Sequence, residues 1–201
     1  MNFDSRHFNS PLSLETADHL LALLDPTPER TLLDIGCGRG ELIARWHAAG
    51  GGAAIGVDPH EGEIALARMR DLQGAGRVDW HLGRMGEVDL PAGHDCVACI
   101  GASHALVDEK SIDRLRDALI ALRKLVKPGG TALLGEGFWK QPPPAEYLAA
   151  TGMKADEMLS HAENLELCEE VGSAPYVLAS SPWPSHHVRA PGGPRHSSWK
   201  A

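Results

Sequence analysis

Residues 32–40 read Leu32-Leu33-Asp34-Ile35-Gly36-Cys37-Gly38-Arg39-Gly40. The apolar start of this stretch predicts a buried strand, and its three glycines allow a tight turn and the close approach of a ligand to main-chain atoms. A helical pattern follows at 41–49, so the loop precedes a helix N-terminus, which presents unpaired N–H groups. A strand, a glycine loop and a helix in this order predict the first unit of an α/β fold.

Two features separate this loop from a dinucleotide fingerprint. Its spacing is Gly-x-Gly-x-Gly, and Glu41 stands where the dinucleotide fingerprint has its third glycine. The carboxylate of Asp34 would repel a pyrophosphate but would attract a cationic amino-acid moiety. Asp58 ends the next predicted strand, 22 residues after Gly36. An acid at that place can accept hydrogen bonds from both ribose hydroxyls of an adenosine.

Strand-like and helical patterns alternate outward from the loop. Six strands are predicted, at residues 31–35, 53–57, 77–82, 95–100, 131–136 and 174–180. Six helices are predicted, at residues 14–24 (capped by Ser10 or Ser13), 41–49, 61–73, 110–126, 145–150 and 161–171. Pro128-Gly129-Gly130 is predicted to turn the chain before the fifth strand. The predicted fold class is α/β: a doubly wound, mainly parallel sheet of six strands flanked by helices, with right-handed crossovers.

The cysteines do not predict a metal site. Cys96 and Cys99 have the spacing of a metal knuckle, but they lie in a predicted strand, where residues three apart point to opposite faces. Cys37 and Cys168 are remote in sequence, and the scatter of the four thiols does not suggest a disulfide framework. Free cysteines fit a reducing, cytoplasmic setting.

The charge balance disfavours several classes of partner. The chain has 27 acidic and 19 basic residues, a formal net charge of −8, which argues against binding by phosphate neutralisation. No apolar run approaches the roughly 20 residues that span a bilayer, and the N-terminus lacks the apolar core of a signal peptide. We therefore expect no nucleic-acid partner and no membrane partner.

The composition changes near the C-terminus. From Pro182 to Ala201 there is no acidic residue, and the segment is rich in proline, glycine and basic residues. Two regions are therefore predicted: a domain over 1–181 and a basic Pro/Gly-rich tail over 182–201. No strand-like apolar run follows residue 181, so the sheet is expected to end in an exposed edge, which favours pairing as a homodimer.

Four motifs in order resemble the class I S-adenosylmethionine-dependent methyltransferases. They are the glycine loop at 32–40, Gly56-Val57-Asp58, the strand motif at 95–101 and the turn at 125–131. The resemblance covers roughly residues 10 to 180 and implies a Rossmann-like methyltransferase fold that lacks its usual C-terminal strand. It also implies S-adenosyl-L-methionine as the cofactor of the domain over 1–181.

The resemblance assigns the cofactor contacts position by position. It implies that Asp34 and the loop hold the methionine portion, that Asp58 binds the ribose, and that Pro59 lies on the adenine face. Many relatives have an acid at the position of Arg84, so backbone groups around Met85 would have to bind the adenine amino group here. The full implied set is Asp34, Gly36, Cys37, Gly38, Gly40, Asp58, Pro59, Arg84, Met85, Ile100 and Gly101.

His104 is the candidate catalytic residue, because it follows the fourth strand, at the end of the sheet where ligands bind, and could take a proton at neutral pH. The alternative is that His104 only packs against substrate or caps the next helix. Glu136, Trp139 and Tyr147 follow the fifth strand and are candidate substrate-binding residues; the aromatic groups suit a small apolar or planar acceptor. The alternative for Trp139 is that it is a packing residue. The N-terminal stretch from His7 is expected to fold over the cofactor.

Three functions are compatible with these patterns. The leading hypothesis is a methyltransferase that acts on a small-molecule acceptor. A non-catalytic S-adenosylmethionine-binding subunit or regulator is the second, and it is favoured by the unusual tail. A nicotinamide-dependent oxidoreductase is the third, and Glu41 and Asp34 disfavour it.

Overall fold

A five-stranded parallel sheet forms the core of the first of two units into which the chain divides, residues 1–136 and 137–201. The structure, a computed structural model, describes residues 7–8, 12–71, 77–108, 110–139 and 141–172. The strands are β1 (Leu32–Ile35), β2 (Ala54–Asp58), β3 (Val78–Leu82), β4 (His94–Ile100) and β5 (Val126–Gly135). The helices of this unit are α1 (Leu14–Leu23), α2 (Glu41–Ala48), α3 (Glu61–Asp71) and α4 (Arg114–Leu125), with a one-turn 3₁₀ helix at Ser103–Ala105.

Helices cover both faces of the sheet, as the doubly wound fold class predicts. On one face α1, α2 and α3 contribute apolar side chains such as Leu21, Trp46 and Ile64 to the core. On the other face, α4 contributes Leu122. The thiols of Cys96 and Cys99 lie in these two different core clusters, so they point away from each other across the sheet.

The strand order is β3-β2-β1-β4-β5, and every neighbouring pair is parallel. The chain moves outward from β1 to β2 and β3, and then crosses to the other side of β1 to form β4. The order therefore reverses between β1 and β4. In open α/β sheets, the crevice at the carboxyl ends of the strands at such a reversal is where ligands bind.

The strand count and the start of β5 differ from the sequence-based expectation. The described part of the chain forms five strands rather than six; the predicted sixth strand at 174–180 and the tail at 182–201 lie outside the described residues. Pro128-Gly129-Gly130 is not a turn before β5 but lies within it. Val126 pairs with His94 and Thr131 with Cys96, so four residues of β5 stand opposite a single residue of β4 and form a bulge.

The bulge is held by an ion pair. Lys127, within the bulge, pairs with the carboxylate of Asp95, which also accepts hydrogen bonds from the backbone N–H and hydroxyl of Thr31 at 3.1 and 3.0 Å. These contacts lower the pKa of Asp95 to about 2, with the Lys127 interaction as the largest cause. Asp95 thus ties the starts of β1, β4 and β5 together.

The helix α1 begins at Leu14, as its apolar pattern predicts, whereas α4 begins later than its pattern suggests. Ser13 caps α1 by accepting a hydrogen bond from Thr16 N, while Ser10, the other predicted cap, lies outside the described residues. The helix α4 begins at Arg114 rather than Lys110, because Asp113 accepts a hydrogen bond from Arg116 N as its cap. Ile112 therefore precedes the helix and is fully exposed.

The described part of the second unit is mainly helical. It contains α5 (Ala145–Thr151), α6 (His161–Glu170) and a 3₁₀ turn at Ala155–Glu157. Ser160 and Glu163 form a reciprocal capping box at the start of α6. None of the helices in the described ranges is long and apolar enough to cross a membrane.

Candidate functional site

A cleft opens at the carboxyl ends of β1, β2 and β4, where the strand order reverses. It is lined by the glycine loop, the residues that follow β2, the turn that follows β4 and two residues of the N-terminal stretch. The lining residues are His7, Phe8, Asp34, Gly36, Cys37, Gly38, Arg39, Leu42, Asp58, Pro59, His60, Ile100, Gly101, Ala102, His104 and Ala105. Nine of the predicted site residues are therefore brought together in one place: Asp34, Gly36, Cys37, Gly38, Asp58, Pro59, Ile100, Gly101 and His104.

Glycine is required at two positions of the loop for steric reasons. Gly36 has φ +71°, and a Cβ there would lie 2.3 Å from the Cβ of Ala102. Gly40 has φ +75°, and a Cβ there would lie 2.5 Å from the ring of Trp80. The loop therefore packs closely between the turn after β4 and the aromatic ring of Trp80 on β3, so that only glycine fits at positions 36 and 40.

Trp80 supports the loop from within the sheet, and the sequence pattern did not single it out. Its ring lies against Gly40 and also against Gly56, where a Cβ would be 2.5 Å away. Its Nε1–H donates to Asp71 at 3.2 Å. The ring explains why two separate glycines are needed, one in the loop and one in β2. Gly40, which was predicted to contact the cofactor, does not line the cleft; it is the left-handed residue before α2.

The carboxylate of Asp58 is held from two sides. Its Oδ2 accepts a hydrogen bond from Gly38 N at 2.9 Å. Its Oδ1 accepts one from His60 N at 2.8 Å and lies 3.0 Å from His60 Nδ1. Only 6% of Asp58 is exposed. The acid at the end of β2 is thus fixed against the glycine loop, with its remaining acceptor capacity toward the cleft.

Asp34 places a second carboxyl group in the same cleft. Only 4% of the residue is exposed. Burial, and then the neighbouring Asp58 carboxylate, raise the pKa of Asp34 to about 7. The cleft thus contains two acids, and the carboxyl of Asp34 is partly protonated near neutral pH. A cationic ligand in the cleft would stabilise the ionised form of this carboxyl group.

His104 lines the cleft from the turn that follows β4. It is an exposed residue in the 3₁₀ turn directly after β4. The end of β4 is bonded to β5 through Gly101 N and Gly135 O at 2.8 Å, which brings Glu136 beside this turn. The Glu136 carboxylate accepts hydrogen bonds from the hydroxyl and backbone N–H of Ser103.

The environment of Glu136 acts on its pKa in two directions. Removal of its carboxylate from water raises the pKa, whereas the Ser103 bonds and the nearby His104 lower it, with a net increase. The residue as a whole is exposed, so solvent screens these interactions. Glu136 does not line the cleft itself; it contacts the turn that carries His104.

Four other predicted site residues lie outside the cleft lining. Met85 packs against the core face that α4 covers. The backbone N–H of Arg84 donates to Glu87 Oε2 at 3.1 Å. Trp139 and Tyr147 lie in the second unit, where their rings meet edge to face at 5.8 Å and Trp139 Nε1–H donates to Ala155 O at 2.9 Å. The roles predicted for these residues stay predictions.

Several cleft residues are additional to the predicted set. Arg39 lines the cleft while its guanidinium binds Glu63 at 3.2 Å through two nitrogens. His7 and Phe8 also line it. Phe8 packs on the core, and His7 Nδ1 lies 3.3 Å from Glu41 Oε2. The other additions are Leu42, His60, Ala102 and Ala105.

Several curated proteins with similar sequences are named as methyltransferases. Residues 32–130 match the family described as a methyltransferase domain. The chain is 33% identical over 111 residues to the ubiquinone/menaquinone biosynthesis C-methyltransferase UbiE of Acidiphilium cryptum, covering 55% of this chain and 43% of that protein. It is 30% identical over 135 residues to the ubiquinone biosynthesis O-methyltransferase of Pseudomonas paraeruginosa, covering 66% of this chain and 53% of that one. The chain thus spans about half the length of the curated relatives it matches.

A solved structure has the same fold. The crystal structure of a SAM-dependent methyltransferase from Thiobacillus denitrificans in complex with S-adenosyl-L-homocysteine superposes with a TM-score of 0.72 and 26% sequence identity. The match covers 84% of this chain and 67% of that one.

The reversed parallel sheet and the glycine loop define a Rossmann-like domain with a cleft at the carboxyl ends of its strands. With the matches in sequence and structure, the assignment becomes more specific. The chain belongs to the class I S-adenosylmethionine-dependent methyltransferases.

Proposed function

We propose that this protein transfers a methyl group from S-adenosyl-L-methionine to a small-molecule acceptor. The observation that carries the proposal is the placement of two acids, Asp34 and Asp58, around one glycine loop at the reversal of the sheet. The loop is a cradle that a Cβ at Gly36 would fill, so main-chain groups can meet a ligand closely. The two acids and the main-chain groups of the loop therefore fit S-adenosyl-L-methionine.

Each group of the cleft suits one portion of the cofactor. Asp34 is the partner for the α-ammonium group of the methionine portion, with Gly36, Cys37 and Gly38 beside it. Asp58 accepts from the ribose hydroxyls. The remaining predicted contacts are Pro59 on the adenine face, Arg84 and Met85 beside the adenine, Ile100 and Gly101 near the sulfur, and Gly40 as the turn that shapes the loop.

The bound cofactor supplies a sulfonium methyl group that is already activated. The protein's contribution is then alignment of the acceptor and exclusion of water. His104 is the proposed general base, and it takes the proton that the acceptor loses. Its position at the turn after β4, on the lining of the cleft, supports this role. Glu136 binds the same turn through Ser103.

The proposed acceptor is a small molecule. The relatives are named as enzymes of ubiquinone and menaquinone biosynthesis, which act on small molecules, and the acidic chain is poorly suited to a polyanionic nucleic acid. Glu136, Trp139 and Tyr147 are the proposed acceptor-binding residues. We further propose a cytoplasmic setting and a homodimer formed through a sheet edge, which sedimentation would test.

The nicotinamide alternative is disfavoured by the residue in the place of the third fingerprint glycine. Glu41 is 8% exposed, and its carboxylate binds Arg70 at 2.6 Å and Arg45 at 2.9 Å. A buried acid at this helix N-terminus opposes a pyrophosphate. The non-catalytic alternative rests on the tail, which lies outside the described residues.

Binding and turnover separate these functions. Calorimetry with S-adenosyl-L-homocysteine and with NAD distinguishes a methyltransferase or a non-catalytic binder of S-adenosyl-L-methionine from a nicotinamide-dependent oxidoreductase. Incubation with labelled S-adenosyl-L-methionine and a panel of small-molecule acceptors then tests for turnover. Good binding of S-adenosyl-L-homocysteine without labelled product from any acceptor would favour the non-catalytic binder.

A further inference from the structure

The carboxylate of Asp58 has little free acceptor capacity. A carboxylate has two oxygens and about four lone-pair positions for hydrogen bonds. Three donors already face them: Gly38 N at Oδ2, and both the backbone N and the ring Nδ1 of His60 at Oδ1. Because a carboxylate only accepts, the ring nitrogen that faces it carries the proton. About one position is left.

The proposed function, on which this inference rests, needs two positions for the two ribose hydroxyls. One of the three present donors must therefore leave. Gly38 N belongs to the tightly packed glycine loop. His60 N is equally fixed, because His60 O accepts hydrogen bonds from Glu63 N and Ile64 N, both at 3.1 Å, at the start of α3.

The ring of His60 is free to move. Its side chain is 76% exposed, so rotation about its side-chain bonds breaks one hydrogen bond and little packing. It is also part of the cleft lining, so it stands where the ligand enters. Among the donors on Asp58, the imidazole is the one that solvent can replace without a change in the backbone.

We propose that the His60 ring is a removable donor, which satisfies Asp58 until a ribose hydroxyl takes its place. The ring then competes with the cofactor for Oδ1 of Asp58 rather than assisting its binding. Removing the ring donor removes the competing bond. We expect His60→Ala to bind S-adenosyl-L-homocysteine about two- to tenfold more tightly, the range of one net hydrogen bond.

A ligand with one ribose hydroxyl isolates this competition. The 2′-deoxy analogue of S-adenosyl-L-homocysteine needs a single position on Asp58, which is already available. Its Kd is expected to change less than about twofold on substitution of His60. A general rearrangement of the cleft would instead change the Kd of both ligands together.

The test is calorimetry of both ligands with the full chain and three variants. His60→Ala removes the ring, and His60→Phe keeps an aromatic ring but removes the donor. His19→Ala is the matched control, because His19 is exposed on α1 and is not part of the cleft lining. Both His60 variants should bind S-adenosyl-L-homocysteine more tightly than the unsubstituted protein does, with little change in the Kd of the 2′-deoxy analogue.

Two results would overturn the inference. One is weaker or unchanged binding of S-adenosyl-L-homocysteine by both His60 variants, which would make the ring a positioning group or a bystander. The other is equal tightening of both ligands. Failure of the proposed function is a different result, namely no binding of S-adenosyl-L-homocysteine by the unsubstituted protein.

Discussion

Asp34 and Asp58 lie in one cleft, and the pKa of Asp34 is raised to about 7 by its burial and by the Asp58 carboxylate. No arginine or lysine is among the causes of the shift in the pKa of Asp34. Ionisation of both acids is therefore electrostatically unfavourable in the free protein, and a bound cationic ligand would offset this repulsion.

The buried carboxyl of Asp34 should reduce stability as the pH rises. Its pKa is higher in the folded chain than in the unfolded chain, so the unfolded state loses its proton first. The free energy of unfolding therefore falls through this group between about pH 4 and pH 7. The free energy of unfolding of Asp34→Asn, relative to that of the unsubstituted protein, should therefore increase by on the order of 2–3 kcal/mol when the pH is raised from about 5 to about 8.

Urea unfolding at the two pH values measures this gain. Asp89→Asn is the control, because Asp89 is exposed and should show the same pH dependence as the unsubstituted protein. A constant difference between Asp34→Asn and the unsubstituted protein at both pH values would contradict the raised pKa.

Ligand binding should release the proton that Asp34 holds. The ammonium group of S-adenosyl-L-homocysteine favours the ionised carboxylate, so the bound protein has a lower pKa at Asp34. Proton release should approach about one per site near pH 6 and fall to about one tenth near pH 8. Calorimetry in phosphate and in Bis-Tris, which both buffer near pH 6 and differ in ionisation enthalpy, detects the proton as a difference in apparent enthalpy. Equal enthalpies in both buffers near pH 6 would refute it.

Gly36 should not tolerate a methyl group. Gly36→Ala forces a Cβ into contact with Ala102 at 2.3 Å and keeps φ at +71°. The expected loss of stability is about 1–3 kcal/mol, with weaker binding of S-adenosyl-L-homocysteine. Gly62→Ala is the control. Gly62 lies in α3, and a Cβ added there would meet nothing within 4 Å, so this substitution should be neutral or slightly stabilising. Similar melting temperatures for the two variants would contradict the packing described here.

His104 should affect turnover more than cofactor binding. His104→Ala is expected to lower kcat about 10²- to 10⁴-fold with any acceptor that must lose a proton. The Kd of S-adenosyl-L-homocysteine should change little, because the proposed role of the imidazole is to take a proton from the acceptor and not to bind the cofactor. His19→Ala serves as the surface control. Unchanged turnover in His104→Ala would assign the residue to packing alone.

Local sequence was sufficient for the loop and its acids. An apolar run, three glycines and an acid at the end of the next strand are separated by few residues, and their geometry follows from the strand–loop–helix unit itself. Asp34, Gly36 and Asp58 were therefore predictable. The opposite orientation of Cys96 and Cys99 was predictable for the same reason, because side chains alternate along a strand.

Contacts between distant elements were not accessible in this way. Trp80 meets Gly40 and Gly56 only because β2 pairs with β3 in one register, with Gly56 opposite Trp80. The bulge at Pro128-Gly129-Gly130 likewise depends on pairing with β4, whereas glycine and proline by themselves favour a turn. The hydrogen bond of the His60 ring to Asp58 depends on a side-chain rotation that no periodic pattern encodes.

The central claim is that the cleft binds the nucleoside and amino-acid portions of S-adenosyl-L-methionine through its two acids. Titration of S-adenosyl-L-homocysteine and NAD into the full chain and into Asp58→Ala tests it most directly. We expect binding of S-adenosyl-L-homocysteine and none of NAD, and a loss of affinity of at least about tenfold in Asp58→Ala, since a hydrogen bond to a charged group contributes about 1.5–3 kcal/mol. Tight NAD binding without S-adenosyl-L-homocysteine binding, or an unchanged Kd in Asp58→Ala, would contradict the claim.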